Sequence, residues 1–365
     1  MSACQPGFFE RLVAWQRACG RHDLPWQGTR DPYRVWLSEI MLQQTQVATA
    51  RRYYETFLAR FPDVRALAAA PLDEVLAAWS GLGYYRRARL LHAAARQVVE
   101  QLGARFPQDF DGWRALPGVG DSTAAAIAAF CHGQPVSILD GNVRRVLQRW
   151  SGVAGTEATP RALWRRAQAL LPPQPPAEAM AAYTQGLMDL GATVCTPRQP
   201  RCAVCPLRAD CAAHAGAVPL AATSAPRRTP RRVEAWWLPL WVRADGALWL
   251  QRRPARGIWG GLWAPPVLVG TEGEQALRAA LAGPPARPAR WLPPVAHALT
   301  HRELRLHRVQ VGFSAEGETP PPGPGVQPDQ GAWWAPSAAL ALGLPAPVRA
   351  WLADTAPASR MSSSR

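Results

Sequence analysis

From Gly7 to about Ala213, apolar residues recur at three- and four-residue intervals between Pro and Gly breaks, and no strand-like alternation interrupts them. This stretch is expected to be helix after helix. The segment opening at Asp31 shows the logic: Asp31 can cap, Pro32 suits a first helical position, and Tyr33, Trp36, Leu37, Ile40 and Met41 share one face. Further helices are expected over 47–60, 72–79, 86–102, 122–131, 142–150, 160–170 and 178–190. Between Ala213 and Arg232 the chain turns to Ala, Pro, Ser and Arg and reads as a linker over 214–232. The period then changes to two. Trp236 to Arg243, an Asp245-Gly246 turn and Ala247 to Arg252 predict a hairpin, and Arg305 to Phe313 a further strand. Pro320 to Pro328 reads as a loop and 355–365 as a disordered tail. The expected fold is mainly α: a helical domain over 1–213, the linker, and a small α+β domain over 233–354.

At 365 residues, 48% of them apolar, the chain can bury two cores of ordinary size. Ten of the 17 tryptophans fall in the second domain and are expected in its core. The formal net charge of +15, mostly from arginine, points to a polyanionic partner, with nucleic acid the first candidate. A membrane surface is the rival anion. No apolar run approaches the length of a spanning helix, and Met1 to Arg11 lacks a signal pattern. The expectation is a cytoplasmic, nucleoid-associated bacterial protein that acts as a monomer away from membranes.

Cys195, Cys202, Cys205 and Cys211 are spaced C-x6-C-x2-C-x5-C, while Cys4, Cys19 and Cys131 are scattered. Four converging thiolates suit tetrahedral zinc or an iron–sulfur cluster. Zinc sites usually show two C-x2-C pairs and only Cys202 and Cys205 are so spaced, so the pattern favours an iron–sulfur cluster displaying a cationic loop. Upstream, Leu116-Pro117-Gly118-Val119-Gly120 leads through Asp121-Ser122-Thr123 into an Ala-rich helix. Such a turn can aim backbone N–H groups and a helix N-terminus at a phosphate, reading backbone and not sequence.

Together these residues resemble the helix-hairpin-helix DNA glycosylases that carry an iron–sulfur loop. Leu116 to Gly120 is similar to the hairpin of that superfamily, Cys195 to Cys211 to its cluster spacing, and Asp140 in Ile138-Leu139-Asp140-Gly141-Asn142-Val143 to its catalytic aspartate. Leu24-Pro25-Trp26, Trp36 to Val47, Gly81-Leu82-Gly83-Tyr84-Tyr85 and Met188-Asp189-Leu190-Gly191-Ala192 resemble one branch, the adenine DNA glycosylases of the MutY type. The resemblance implies a 4Fe-4S cluster on the four cysteines. It also implies duplex DNA with adenine opposite 8-oxoguanine or guanine as the substrate.

Cleaving an N-glycosidic bond calls for a proton on the leaving base and a negative charge beside the oxocarbenium-like sugar. The resemblance implies that Glu39 protonates adenine and later handles water, that Asp140 stabilises the cationic sugar, and that Asn142 helps position them. Val35 and Leu42 share the helical face of Glu39 and should raise its pKa. Gln43, Gln44 and Tyr84 match residues that enter the base stack or meet the opposite base, and Trp26 and Gln185 match the adenine pocket. Bifunctional relatives carry a Schiff-base lysine just after the hairpin, where Ser122 stands here, so an intact strand with an abasic site is the expected product. Asp121 is a departure, an acid beside a phosphate site.

Gly257 to Pro266 resembles the Nudix-like domain of these enzymes, yet the following stretch supplies too few acids for a hydrolase metal site. The domain is therefore expected to bind without hydrolysing, and the resemblance implies that Thr300 and His301 recognise 8-oxoguanine. Two rival readings are a bifunctional endonuclease III-like glycosylase/lyase, disfavoured by Ser122, and a catalytically silent DNA-binding or electron-transfer protein built round the cluster.

Overall fold

Helical periodicity in the first half becomes helices whose apolar faces close on shared cores. The computed structural model describes residues 7–153, 155–217, 230–282, 289–313, 320 and 330–355. Most of the expected linker (218–229), all of the Pro-rich loop but Pro320 (321–328), most of the tail (356–365) and Cys4 lie outside the described residues. The described residues fall into two compact units, one drawn from Met1–Ala69 and Leu90–Arg227, the other from Ala70–Arg89 and Arg228–Arg365.

In chain order the helices of the first part are α1 (Phe8–Cys19), α2 (Pro32–Leu42), α3 (Val47–Arg60), α4 (Val64–Ala69), α5 (Leu72–Ala78), α6 (Arg86–Gln101), α7 (Phe110–Arg114), α8 (Asp121–His132), α9 (Gly141–Ser151), α10 (Pro160–Ala169) and α11 (Ala177–Asp189). Asp31 caps α2 as its sequence suggests, accepting from Tyr33 N–H at 2.9 Å with Pro32 in the first turn. In the first unit Phe8, Phe9 and Leu12 of α1 pack with Met180, Tyr183 and Leu187 of α11 and with Val146 and Leu147 of α9. Phe9 stacks on Tyr183 at 4.9 Å between ring centres. The run Ala124–Ala129 in α8 is almost wholly buried, its small side chains letting neighbouring helices approach closely.

The second unit is built on a sheet with strand order β3-β2-β1-β7-β5. Its strands are β1 (Arg232–Arg243), β2 (Leu248–Arg252), β3 (Trp263–Ala264), β4 (Leu268–Val269), β5 (Ala289–Trp291), β6 (Val295–Ala298), β7 (Arg302–Phe313) and β8 (Gly331–Trp334). The expected hairpin is β1–β2, in antiparallel register at Val242 and Leu248. β1 also pairs in parallel with β7 from Arg232–Arg302 to Arg243–Phe313, so β1 is a central strand and reads as an apolar run. Trp237, Trp241, Trp249, Val309, Val311 and Phe313 form one core with Leu277 of α12 (Gly270–Ala282); most second-domain tryptophans are buried as their distribution implied, but Trp291 is 44% exposed on the short strand β5. Short helices α13 (Pro336–Leu340) and α14 (Ala346–Thr355) follow.

One grouping differs from expectation. Ala70–Arg89, read from the sequence as part of the helical domain, clusters with the C-terminal unit. Long-range polar bonds tie the segment to that unit: Ser80 Oγ donates to Leu344 O at 2.7 Å, Tyr85 OH to the same oxygen at 3.0 Å, Arg89 Nη1 to Gly260 O at 2.6 Å, and Asp73 pairs with Arg252. None of these partners is within reach of local pattern. Among the described residues no helix is long and apolar enough to cross a membrane.

Candidate active site

The first unit holds a cavity of about 390 Å³ whose wall includes Trp26, Val35, Glu39, Leu42 and Gln185. Its size lies within the range of small-ligand pockets. Glu39 projects from α2, and Val35 and Leu42 line the cavity with it, one turn to either side. Burial pushes the Glu39 pKa from 4.5 up to about 8, and the nearby charge of Asp140 pushes the same way. Asp140 is the N-cap of α9, its Oδ1 accepting from Val143 N–H at 2.7 Å. Its pKa is also raised by burial, against the opposing pull of the Val143 and Asn142 N–H groups and Arg145. The two carboxyl groups thus have unequal support for ionisation: Asp140, which is not on the cavity wall, has donors aimed at it, whereas Glu39 is shifted by burial and by negative charge alone. Asn142 Oδ1 accepts from Arg145 Nη2 at 3.0 Å.

Trp26 is buried edge-on against Tyr54, with ring centres 5.4 Å apart. Gln43, at the C-terminal end of α2, donates through Nε2 to Thr123 Oγ1 at 3.2 Å and reaches Gly118 O at 3.5 Å, tying α2 to the glycine turn. Gln44 is exposed and holds a left-handed backbone, φ +56°, which a non-glycine residue adopts at some cost. In the turn Leu116 and Val119 are buried anchors. Gly118 has φ +79°, and a Cβ there would meet Leu90 Cβ at 2.8 Å. Gly120 is the N-cap of α8 and has no side chain to cap it, so first-turn N–H groups remain available to an anion. Arg114 lies 3.9 Å from Asp121 and offsets part of the charge that departs from the family pattern. Ser122 Oγ accepts from Leu139 N–H at 3.2 Å, so the residue after the turn steadies the segment that ends in Asp140.

The four clustered cysteines form no disulfide and line one pocket with Arg149 and His214. Among the described residues no group of three or more His, Cys, Asp and Glu side chains converges closely enough to hold a single metal ion. Burial pushes the Cys205 thiol up to about 11, and the Cys195, Cys211 and Cys202 sulfurs beside it push the same way. Two residues that sequence reasoning passed over hold this loop. Arg149, 2% exposed, donates to Thr196 O at 2.7 Å and Pro197 O at 2.8 Å, and Arg145 donates to Cys195 O at 2.8 Å and Gly191 O at 2.6 Å. The available signal was their placement, one turn apart, among the apolar residues of α9.

Tyr84, Thr300 and His301 come together in the second unit on the wall of a cavity of about 510 Å³, with Arg86, Trp259 and His297. Tyr84 is 47% exposed, has φ +49°, and its OH lies 2.9 Å from Thr300 Oγ1. The guanidinium of Arg87 sits 5.5 Å from the centre of its ring.

Residues 37–173 match the HhH-GPD superfamily of base excision DNA repair proteins, and residues 238–354 match the NUDIX domain. The helical fold, the uncapped glycine turn and the paired carboxyls agree with that class: the protein is a DNA glycosylase, an enzyme of base excision repair. A solved thermostable thymine-DNA glycosylase superposes with a TM-score of 0.52 at 29% identity, over 57% of this chain and 95% of that one. The adenine DNA glycosylase of Buchnera aphidicola subsp. Schizaphis graminum (strain Sg) is 34% identical over 71% of this chain and 74% of its own length. That of Homo sapiens is 35% identical over 86% of this chain and 68% of its own. The chain belongs to the adenine DNA glycosylase family.

Proposed function

We propose that this enzyme hydrolyses the N-glycosidic bond of adenine mispaired with 8-oxoguanine or guanine in duplex DNA, leaving an abasic site in an unbroken strand. The observation that carries the reading is Glu39: a carboxyl with its pKa near 8, on the wall of a small-ligand cavity and beside the better-supported Asp140. The adenine turns out of the duplex into the cavity beside Trp26 and Gln185. Glu39, protonated at neutral pH, gives its proton to the base as the bond to the sugar breaks. Asp140, held in place by α9 with Asn142 beside it, places negative charge against the developing oxocarbenium ion. Glu39, now ionised, takes a proton from the water that adds to the sugar. Backbone N–H groups of Gly118, Gly120 and Ser122 hold the phosphates, and Gln43, Gln44 and Tyr84 each enter the base stack or meet the opposite base.

Composition supports a purely hydrolytic outcome. All 41 basic residues are arginine, so no lysine amine exists anywhere in the chain to form an imine with the sugar. Residues 233–354 are proposed as a lesion-recognition domain joined by a linker to a glycosylase domain over 1–213, and in the second unit Thr300 and His301 read 8-oxoguanine beside Tyr84. The enzyme acts as a monomer.

The four-thiol pocket fits a 4Fe-4S cluster held by Cys195, Cys202, Cys205 and Cys211, because four half-buried sulfurs line one pocket beside the Arg149 guanidinium, the all-sulfur donor set such a cluster takes. Such a cluster would supply structure, bracing the loop with Arg198 and Arg201. Single-turnover incubation with a duplex bearing one adenine opposite 8-oxoguanine, read with and without hot alkali, tests the function. Cleavage only after alkali is expected. Strand cleavage without alkali in a nuclease-free preparation would overturn the hydrolytic reading.

A further inference from the structure

Asp189, at the C-terminal end of α11 and 1% exposed, is the most deeply buried carboxylate beside the first cavity. Its Oδ1 accepts from Arg21 Nε at 2.7 Å and Nη2 at 2.6 Å, and its Oδ2 accepts from Arg21 N–H at 2.9 Å. The same Oδ1 accepts from Gln185 Nε2 at 2.8 Å. Arg21 and Gln185 both line the cavity with Glu39, whereas Asp189 does not. A carboxylate paired with arginine has no proton to give, so only the nitrogen of the Gln185 amide can meet it. The amide is therefore not free to turn over, and its carbonyl oxygen is directed away from Asp189.

We propose that Asp189 is a positioning residue for base selection: by holding the Gln185 amide in one orientation, it presents a carbonyl acceptor to the base in the cavity, favouring 6-amino over 6-oxo purines. The inference rests on the reading of this cavity as the adenine pocket. An exocyclic amine supplies the N–H that Oε1 of Gln185 lacks, whereas a 6-oxo group would set two acceptors against each other. Sites that match a donor to an acceptor discriminate far more sharply than sites that match shape alone. Arg21 serves the same end by fixing Asp189 through three contacts, so the carboxylate cannot swing away from the amide.

The test compares single-turnover removal of adenine and of hypoxanthine, each opposite 8-oxoguanine, by the full-length protein. The wild type should prefer adenine. Asp189→Asn can turn its own amide to accept or to donate, which releases Gln185, and the adenine-to-hypoxanthine rate ratio should fall about ten-fold or more. Intrinsic differences in bond lability between the two nucleosides cancel when the ratio is compared between proteins. An unchanged ratio, with both rates lowered together, would show that Asp189 only supports the fold and would overturn the proposal. If circular dichroism shows that Asp189→Asn does not fold, Gln185→Met keeps the stem without the amide. The same fall in ratio is expected there, and an unchanged ratio overturns the proposal. A wild type that removes adenine with no preference over hypoxanthine overturns this inference alone, whereas one that removes neither base overturns the adenine reading and this inference with it.

Discussion

Glu39→Gln should abolish base release and at the same time make the protein more stable. Folding lifts the Glu39 pKa from 4.5 to about 8, burial being the larger cause and Asp140 the smaller. A raised carboxyl pKa means that the folded state binds the proton more tightly than the unfolded state. The contribution is fully present below pH 4.5 and is lost progressively as pH rises towards 8. The interval from 4.5 to pH 7, at about 1.36 kcal/mol per pH unit, amounts to roughly 3 kcal/mol forgone at neutral pH. Gln is nearly isosteric and neutral at every pH, so it escapes this loss. Urea melts of the two proteins should therefore coincide near pH 4 and separate as pH rises, with Glu39→Gln the more stable. The matching kinetic expectation is a single-turnover rate that falls about ten-fold per pH unit above 8 as Glu39 loses its proton. Its acid limb is set by Asp140, which must stay ionised, and the two limbs belong to the coupled pair. A wild-type rate that stays flat well above pH 8, or a Glu39→Gln protein no more stable than wild type at pH 8, would refute the account of Glu39 as a buried general acid.

Three other outcomes follow from geometry. Gly118→Ala puts a Cβ 2.8 Å from Leu90 at φ +79° and should cost about 1–2 kcal/mol. It should also weaken DNA binding, with a shallower salt dependence in fluorescence anisotropy; unchanged affinity would reduce the turn to a connector. Arg149→Leu strands the Thr196 and Pro197 carbonyls and should cost about 3 kcal/mol, with loss of the visible absorbance of the reconstituted cluster. Full cluster retention in that variant would mean the loop does not depend on Arg149. Thr300→Val removes the hydroxyl beside Tyr84 OH and should leave the unfolding free energy within about 1 kcal/mol of wild type. Its preference for adenine opposite 8-oxoguanine over adenine opposite guanine should fall about ten-fold, and an unchanged preference would remove Thr300 from lesion recognition.

Much of this enzyme was legible in one dimension because local rules wrote it. The cap at Asp31, the glycine turn from Leu116 to Gly120, the Asp245-Gly246 hairpin turn and the cysteine spacing all depend on residues within a few positions of each other, where chain geometry leaves few alternatives. The absence of lysine needs no structure at all to remove the side-chain amine on which a Schiff-base lyase reaction would draw. What only tertiary structure decided are properties set by distant neighbours. Glu39 becomes a candidate acid at neutral pH because α2 is buried and Asp140, some hundred residues on, lies close enough to be felt. Arg145 and Arg149 look like solvated charges on α9 until the cluster loop brings its carbonyls to them. Ala70–Arg89 reads as helical domain and yet groups with the C-terminal unit, where its partners Arg252, Gly260 and Leu344 lie far along the chain. Sequence carries side-chain chemistry and local geometry; desolvation and long-range hydrogen bonding, which set pKa and orientation, exist only once the chain has closed on itself.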